Sequence, residues 1–333
     1  MRKWVSILII LIAALSVKSQ DPQFSQFYAA PMYLSPSLTG ATNGSRATIN
    51  FRDQWPQIPG AFVTYAVAFD HYFININSGF GVLFTRDQAG TGRLATTNIG
   101  FLYSYNIQLN RQWQIRPGFQ FLRSQRSLDF HRLTFSDQII GSGQTDSREY
   151  YYLEPKINYM DFNASILAYS EKYWAGLGFD HLIGPNQSLY SAHSELPLKV
   201  SIYGGSKLMM KESAAMKGGE TLTLAFLYKS QKKFDQLDLG VYWHKTPLVL
   251  GAWYRGIPLF KKYDKGYQNN DAINLLVGYK IEEISVGYSY DFTISRLVTN
   301  TGGAHEISLI YLFNQDKQLT RKKKNVIVPC PKF

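Results

Sequence analysis

Past residue 45 the chain repeats one pattern: short runs in which apolar and polar residues alternate, set apart by turn residues. Val63-Tyr65-Val67-Phe69 interleaves with Thr64-Ala66-Ala68-Asp70. Ile99-Phe101-Tyr103-Tyr105-Ile107 interleaves with Asn98-Gly100-Leu102-Ser104-Asn106. A period of two places the two sets on opposite faces of a β-strand. The pattern predicts strands near 46–52, 63–69, 79–84, 98–107, 113–121, 159–170, 173–182, 197–208, 220–229, 236–245, 248–256, 271–280, 284–293 and 304–313, about fourteen in all. Many are long enough for a tilted membrane strand of ~9–11 residues. No apolar stretch past the first residues approaches the ~20 that a spanning helix needs. If this chain crosses a membrane it does so as a closed barrel, since open sheet edges are not tolerated in lipid.

The connections discriminate between a barrel and a soluble β-sandwich. Short turns are expected at 72–77, Asn110-Arg111, Glu171-Lys172, 209–219, Thr246-Pro247 and 281–283. Longer loops are expected at 56–60, 87–95, 125–158, 183–196, 230–235, 257–270 and 294–303. The two sets alternate along the chain, as they do in outer-membrane barrels with short periplasmic turns and long external loops. The asymmetry is weakest at 209–219 and 230–235. The 15% aromatic content suits interfacial girdles. Glu306, Ser308, Tyr311 and Phe313 approximate the pattern by which a terminal barrel strand is recognised, with Ser308 in place of the usual glycine.

Arg2 and Lys3 precede an apolar run from Trp4 to Leu15, and Val17-Lys18-Ser19 offers a cleavage site. This is the anatomy of a secretory signal peptide. Its removal would lower the formal charge from +11 to +8 by taking away Arg2, Lys3 and Lys18. Part of the remaining excess is the cluster Arg321, Lys322, Lys323, Lys324 and Lys332, either a docking surface for an acidic partner or a solvated tail. Cys330 is the single cysteine, so no intramolecular disulfide can form. The expected organisation is a signal peptide at 1–19, an N-terminal periplasmic or lumen segment at 20–45, a barrel at 46–313 and a C-terminal periplasmic tail at 314–333.

Chemistry is not indicated. The six histidines, His71, His131, His181, His193, His244 and His305, fall in no metal-ligand spacing. No nucleophile elbow or phosphate loop occurs. His305 and Ser289, on neighbouring expected strands, are the one pair worth testing for hydrolysis; ordinary lumen or rim roles are expected for both. No catalytic residue, cofactor or metal is expected, and an exported chain has no occasion to bind nucleic acid. Arg46, Arg52, Asp70, Arg116, Lys199, Lys207, Asp238, Lys280 and Asp291 sit at polar alternate positions and are expected to line the lumen. Tightly paired charges there would make a plugged barrel, loosely placed ones a channel.

Several blocks resemble the PorP/SprF family of type IX secretion system membrane proteins. They are Gln20-Asp21-Pro22-Gln23-Phe24-Ser25-Gln26-Phe27 with Pro36 and Gly40, and Arg52-Asp53-Gln54-Trp55-Pro56. Trp174-Ala175-Gly176-Leu177-Gly178 leads on to His181-Leu182 and Pro185-Asn186-Gln187-Ser188. Leu239-Gly240-Val241-Tyr242-Trp243, Gly251-Ala252-Trp253-Tyr254-Arg255-Gly256 and Gly287-Tyr288-Ser289-Tyr290-Asp291 follow. Gly302-Gly303-Ala304-His305-Glu306-Ile307 and Cys330-Pro331-Lys332-Phe333 close the set. The resemblance implies an outer-membrane barrel of the Bacteroidota secretion and gliding machinery. Such a barrel anchors secretion components or partners the export and surface attachment of an adhesin. Phe24, Phe27, Trp55, Phe130, Phe135, Cys330 and Phe333 are the expected partner contacts. The alternative is a passive channel or a hydrophobic-solute transporter.

Overall fold

The computed structural model describes residues 21–42, 44–140, 147–190, 193–211, 220–257, 262–264, 267–295 and 301–313. Fourteen long strands form the wall: β1 (Ser45–Gln54), β2 (Phe62–Phe73), β3 (Ser78–Ala89), β4 (Leu94–Tyr105), β5 (Gln114–Ser127), β6 (Lys156–Tyr169) and β7 (Tyr173–Asp180), then β8 (Lys199–Lys211), β9 (Glu220–Gln231), β10 (Phe234–Lys245), β11 (Leu248–Gly256), β12 (Asn270–Ile281), β13 (Ile284–Thr293) and β14 (Ala304–Phe313). Each pairs antiparallel with its neighbours in sequence. β1 and β14 pair with each other from Ser45↔Phe313 to Gln54↔Ala304. That seam closes the sheet and leaves no wall strand with an open edge, which is what lipid demands of a β structure.

The expected alternation holds on the wall. In β2, Thr64, Ala66, Ala68, Asp70 and Tyr72 are buried toward the lumen, while Tyr65, Val67 and Phe69 are more than 40% exposed on the outside. Phe101 and Phe121, opposite each other on β4 and β5, are 65% and 64% exposed. An outward apolar belt with a polar interior is the arrangement of a membrane barrel. Among the described residues no helix is long and apolar enough to cross a membrane.

The alternation of short turns and long loops holds for most pairs and fails at two connections on the long-loop side, β3–β4 and β9–β10. β3 and β4 run to Ala89 and resume at Leu94, so the loop expected at 87–95 shrinks to 90–93. β9 and β10 are joined by Lys232-Lys233 alone, with Lys232 at φ 55° taking the tight turn. The turn at 209–219 is shorter at its start, since β8 continues to Lys211; 212–219 lie outside the described residues.

Residues 21–42 do not emerge beside the barrel. They run through its lumen, with a single helical turn α1 (Pro31–Leu34) and a 3-10 turn at Pro36–Leu38. Of the two places expected for 20–45, periplasm or lumen, the chain takes the lumen. Asp21 lies beside Asp180, His181 and Lys199, at the long-loop end. Gly40 lies beside Asp70 and Gly79, at the short-turn end from which β1 starts. The segment therefore begins at the long-loop end and reaches the short-turn end only where it joins β1. β14 does end at the short-turn mouth; residues 314–333 lie outside the described residues.

Candidate functional site

Residues 24–32 and 34–42 are buried. The wall yields to them where a side chain would collide. A Cβ on Gly118 would sit 2.3 Å from the Ser37 nitrogen. Gly40 has φ +63°, which favours glycine, and its N–H donates to Asp70 Oδ2 at 2.6 Å. Arg46 donates to both Asp70 oxygens, from Nε to Oδ1 at 2.9 Å and from Nη2 to Oδ2 at 2.7 Å.

Toward the long-loop end of the wall a charged network holds the segment. Arg52 donates to Asp291 Oδ2 at 2.8 Å and Glu306 Oε2 at 3.1 Å. Arg255 donates to Asp291 Oδ2 at 3.0 Å and Asp238 Oδ1 at 3.1 Å. All five side chains are almost completely buried. Two guanidiniums face three carboxylates, and the inserted chain satisfies the imbalance. The backbone N–H groups of Ser25 and Gln26 donate to the two Glu306 oxygens at 2.7 and 2.8 Å. Ser25 Oγ donates to Asp291 at 2.6 Å and accepts from Arg52 and Arg255, both at 2.7 Å. The Gln26 amide donates to Ser289 Oγ and accepts from Ser308 Oγ. A buried charge is tolerable only when it is paired and hydrogen-bonded, and the inserted chain supplies much of that bonding here, although the Arg52 Nε is buried without a partner.

Below this network the contact is apolar. The Phe27 ring lies 4.7 Å from Trp253, and Tyr28 meets Trp174 and Tyr242 edge-on. Trp174 Nε1 donates to Tyr28 Oη at 3.3 Å. Phe24 and Met32 join Ala66, Ala68, Leu83 and Leu102 in a second cluster against β2–β4. Phe24 and Phe27, expected as partner contacts, are 2% and 4% exposed and belong to this packing. An aromatic residue in a segment with no periodicity reads as a surface anchor, and only long-range packing reveals it as core.

The outer end of the segment is clamped by charge. His181 Nδ1 meets Asp161 at 2.5 Å and Nε2 meets Asp21 at 2.8 Å. Lys199 bridges Asp21 at 2.9 Å and Asp180 at 3.0 Å. Burial opposes charge on the His181 ring, but Asp21 and then Asp161 outweigh it and raise its pKa to about 9. Burial alone would raise the Asp21 carboxyl; Lys199 and His181 prevail and hold it well below its ordinary value. The raised His181 contributes stability fully below its ordinary value of 6.5, lost as pH climbs through about 9. The depressed Asp21 contributes above its ordinary 3.8, lost as pH falls below that. Amide exchange from Gln23 to Gln26, corrected for intrinsic rates, should show constant protection from pH 5 to about 6.5, then progressive loss toward about 9. Protection unchanged at pH 10 would show that the clamp does not hold this end.

The other expected residues are dispersed. Trp55, at φ 60°, sits at the long-loop mouth edge-on to Phe62. Phe130 is buried within the loop between β5 and β6, and Phe135 stacks edge-on against Tyr150 there. Ile139, Tyr151 and Tyr152 of the same loop are 74%, 90% and 62% exposed. Cys330 and Phe333 lie outside the described residues. Ser289 and His305 are not brought together: Ser289 faces the lumen against Gln26, and His305 pairs with Tyr288 Oη on the other face of the sheet. Arg46, Arg52, Asp70, Arg116, Asp238 and Asp291 do line the lumen, buried. Ser25, Gln26, His181, Arg126 and Asp87 were not singled out as site residues by sequence. The last two were detectable as charges at lumen-facing positions.

A closed, apolar-belted barrel with its lumen filled by its own N-terminal segment defines an outer-membrane β-barrel protein. Residues 16–311 match the model of the type IX secretion system membrane protein PorP/SprF family. The chain belongs to that family and is a membrane component of type IX secretion. Among solved structures, a monoaromatic hydrocarbon channel variant, TodX deltaS2S3, has a TM-score of 0.50 at 10% identity, covering 85% of this chain and 94% of its own. The CymD monoaromatic hydrocarbon channel has a TM-score of 0.47 at 12% identity, covering 86% and 93%. Omp33 of Acinetobacter baumannii has a TM-score of 0.45 at 8% identity, covering 83% and 100%. At such identities the likeness is one of fold. A sequence search of the curated proteins finds no match.

Proposed function

We propose that this protein is a non-catalytic docking barrel that holds an exported adhesin at its long-loop face and fixes it to the outer membrane. The observation that carries this reading is the lumen itself. Residues 24–42 occupy it with packed aromatics and a charge network hydrogen-bonded to the wall, which suits a rigid receptor better than a conduit. The loop between β5 and β6 offers exposed Ile139, Tyr151 and Tyr152, and exposed aromatics are the usual anchors of protein interfaces. The chain reaches this site through a cleaved signal peptide at 1–19, and its tail at 314–333 contacts secretion or gliding components in the periplasm.

The test is a pull-down of the tagged protein from native outer membranes in mild detergent, with mass spectrometry of what accompanies it. The wild type should bring down a large surface protein. Replacing 129–154 by a short Gly-Ser linker should reduce that recovery at least tenfold and leave insertion and heat-modifiability intact. A wild-type barrel recovered without partners would overturn the reading in favour of a channel.

A further inference from the structure

The plug does not fill the lumen evenly. Between its outer end and the wall of β2–β6 lies a cavity of about 570 Å³ at the long-loop mouth, within the usual range for ligand sites. Its wall is mixed: Thr64, Thr85, Thr96, Asn98, Gln120 and Ser124 supply neutral polar groups within a lining that is more apolar than polar. Apolar surface comes from Leu83, Leu122 and Phe62, and Trp55 stands at the rim.

The lining selects among ligands. A hydrocarbon would strip the hydroxyls and amides of water without replacing their hydrogen bonds, which costs about 1–3 kcal/mol for each group left unmade. A polyanion would meet four carboxylates, Asp21, Asp87, Asp161 and Asp180, against three cations. Two of those cations, His181 and Lys199, are already bound to Asp21, Asp161 and Asp180. What remains is one acceptor and one donor. Asp87 takes a single hydrogen bond from Thr64, at 2.6 Å. Arg126 gives Nη1 to Gln187, while its Nε is buried without a partner. A carboxylate and a guanidinium that each make a single hydrogen bond, in a cavity whose other charges are paired, suit a ligand that is itself neutral and presents N–H and C=O groups along its length.

We propose that this vestibule binds a short extended segment of polypeptide arriving from the long-loop face, with Arg126 taking a main-chain carbonyl and Asp87 a main-chain N–H. The apolar surface at Leu83 and Leu122 receives a side chain, which favours a peptide over a saccharide. The proposal rests on the docking function above and names the part of the partner that enters.

The test places a benzophenone amino acid at Asn98, with outward-facing Phe101 as the control, and irradiates intact cells. Adducts at Asn98 should map to one contiguous segment of one exported protein and be absent at Phe101. A synthetic peptide of that segment should bind the purified full-length protein by calorimetry, at least tenfold more weakly in Thr85→Trp and Arg126→Met, both still heat-modifiable. Adducts carrying hexose repeats would overturn the peptide in favour of a glycan. No adduct, with the partner still recovered by pull-down, would overturn the vestibule and leave docking standing. No partner in either experiment would overturn both.

Discussion

Deleting residues 21–41 should turn a silent barrel into one that carries current. An eight-stranded barrel is filled by its own wall side chains, whereas barrels of sixteen to eighteen strands leave an aqueous channel. With fourteen strands the wall alone does not fill the interior, and residues 24–42 supply what is missing. The outward belt, with Tyr65, Val67, Phe101 and Phe121, is untouched by the deletion, so insertion should persist. The lumen charges Arg52, Arg255, Asp238, Asp291 and Glu306 would then be hydrated rather than stranded, and hydrated charges lining a lumen carry little penalty. In planar bilayers the intact protein should show no steps and the deletion should show ohmic ones. Steps from the intact protein would mean that the plug leaves a through-path, and the channel reading would take first place.

Arg52→Met should have the second largest effect, this time on stability. The side chain is 3% exposed and binds Asp291, Glu306 and Ser25 Oγ at once. Its loss leaves three buried carboxylates facing Arg255 alone. Breaking a buried pair from one side costs about 3–5 kcal/mol. The midpoint of thermal unfolding, read by heat-modifiability, should fall accordingly. Adding Glu306→Gln should restore part of the loss, since it removes one stranded charge and residues in one network do not add independently. Arg132→Met is the contrast. Its partner Asp129 is 43% exposed and Arg132 itself 48%, so about 0–1 kcal/mol is expected. Equal effects from the two arginines would mean that the lumen network is solvated.

The wall was legible because its signal is local. Thr64-Tyr65-Ala66-Val67 shows which face is which within four residues, and turns such as Thr246-Pro247 punctuate the strands. The lumen charges followed from the same alternation. The plug was legible only as an irregular segment. Its meaning lies in contacts such as Ser25 to Glu306, 281 residues apart, which no periodicity encodes. Phe24 and Phe27 were therefore read as partner contacts when they are core. One departure from pattern was a clue of another kind. Ser308 stands where a terminal barrel strand usually has glycine, and its hydroxyl holds Gln26 at 2.7 Å.

The seam where β1 meets β14 lies directly behind that grip. Ser25 and Gln26 touch Arg52 on the first strand and Asp291, Ser308 and Glu306 on the last two. Two residues, 43 and 44, separate the buried segment from β1, so the chain must double back inside the ring that its own later strands complete. The segment's one covalent tie to the wall is at the short-turn mouth, where β1 starts. The backbone ladder from Ser45↔Phe313 to Gln54↔Ala304 joins the two ends of the wall, and the leading segment adds a second fastening across the same seam from within.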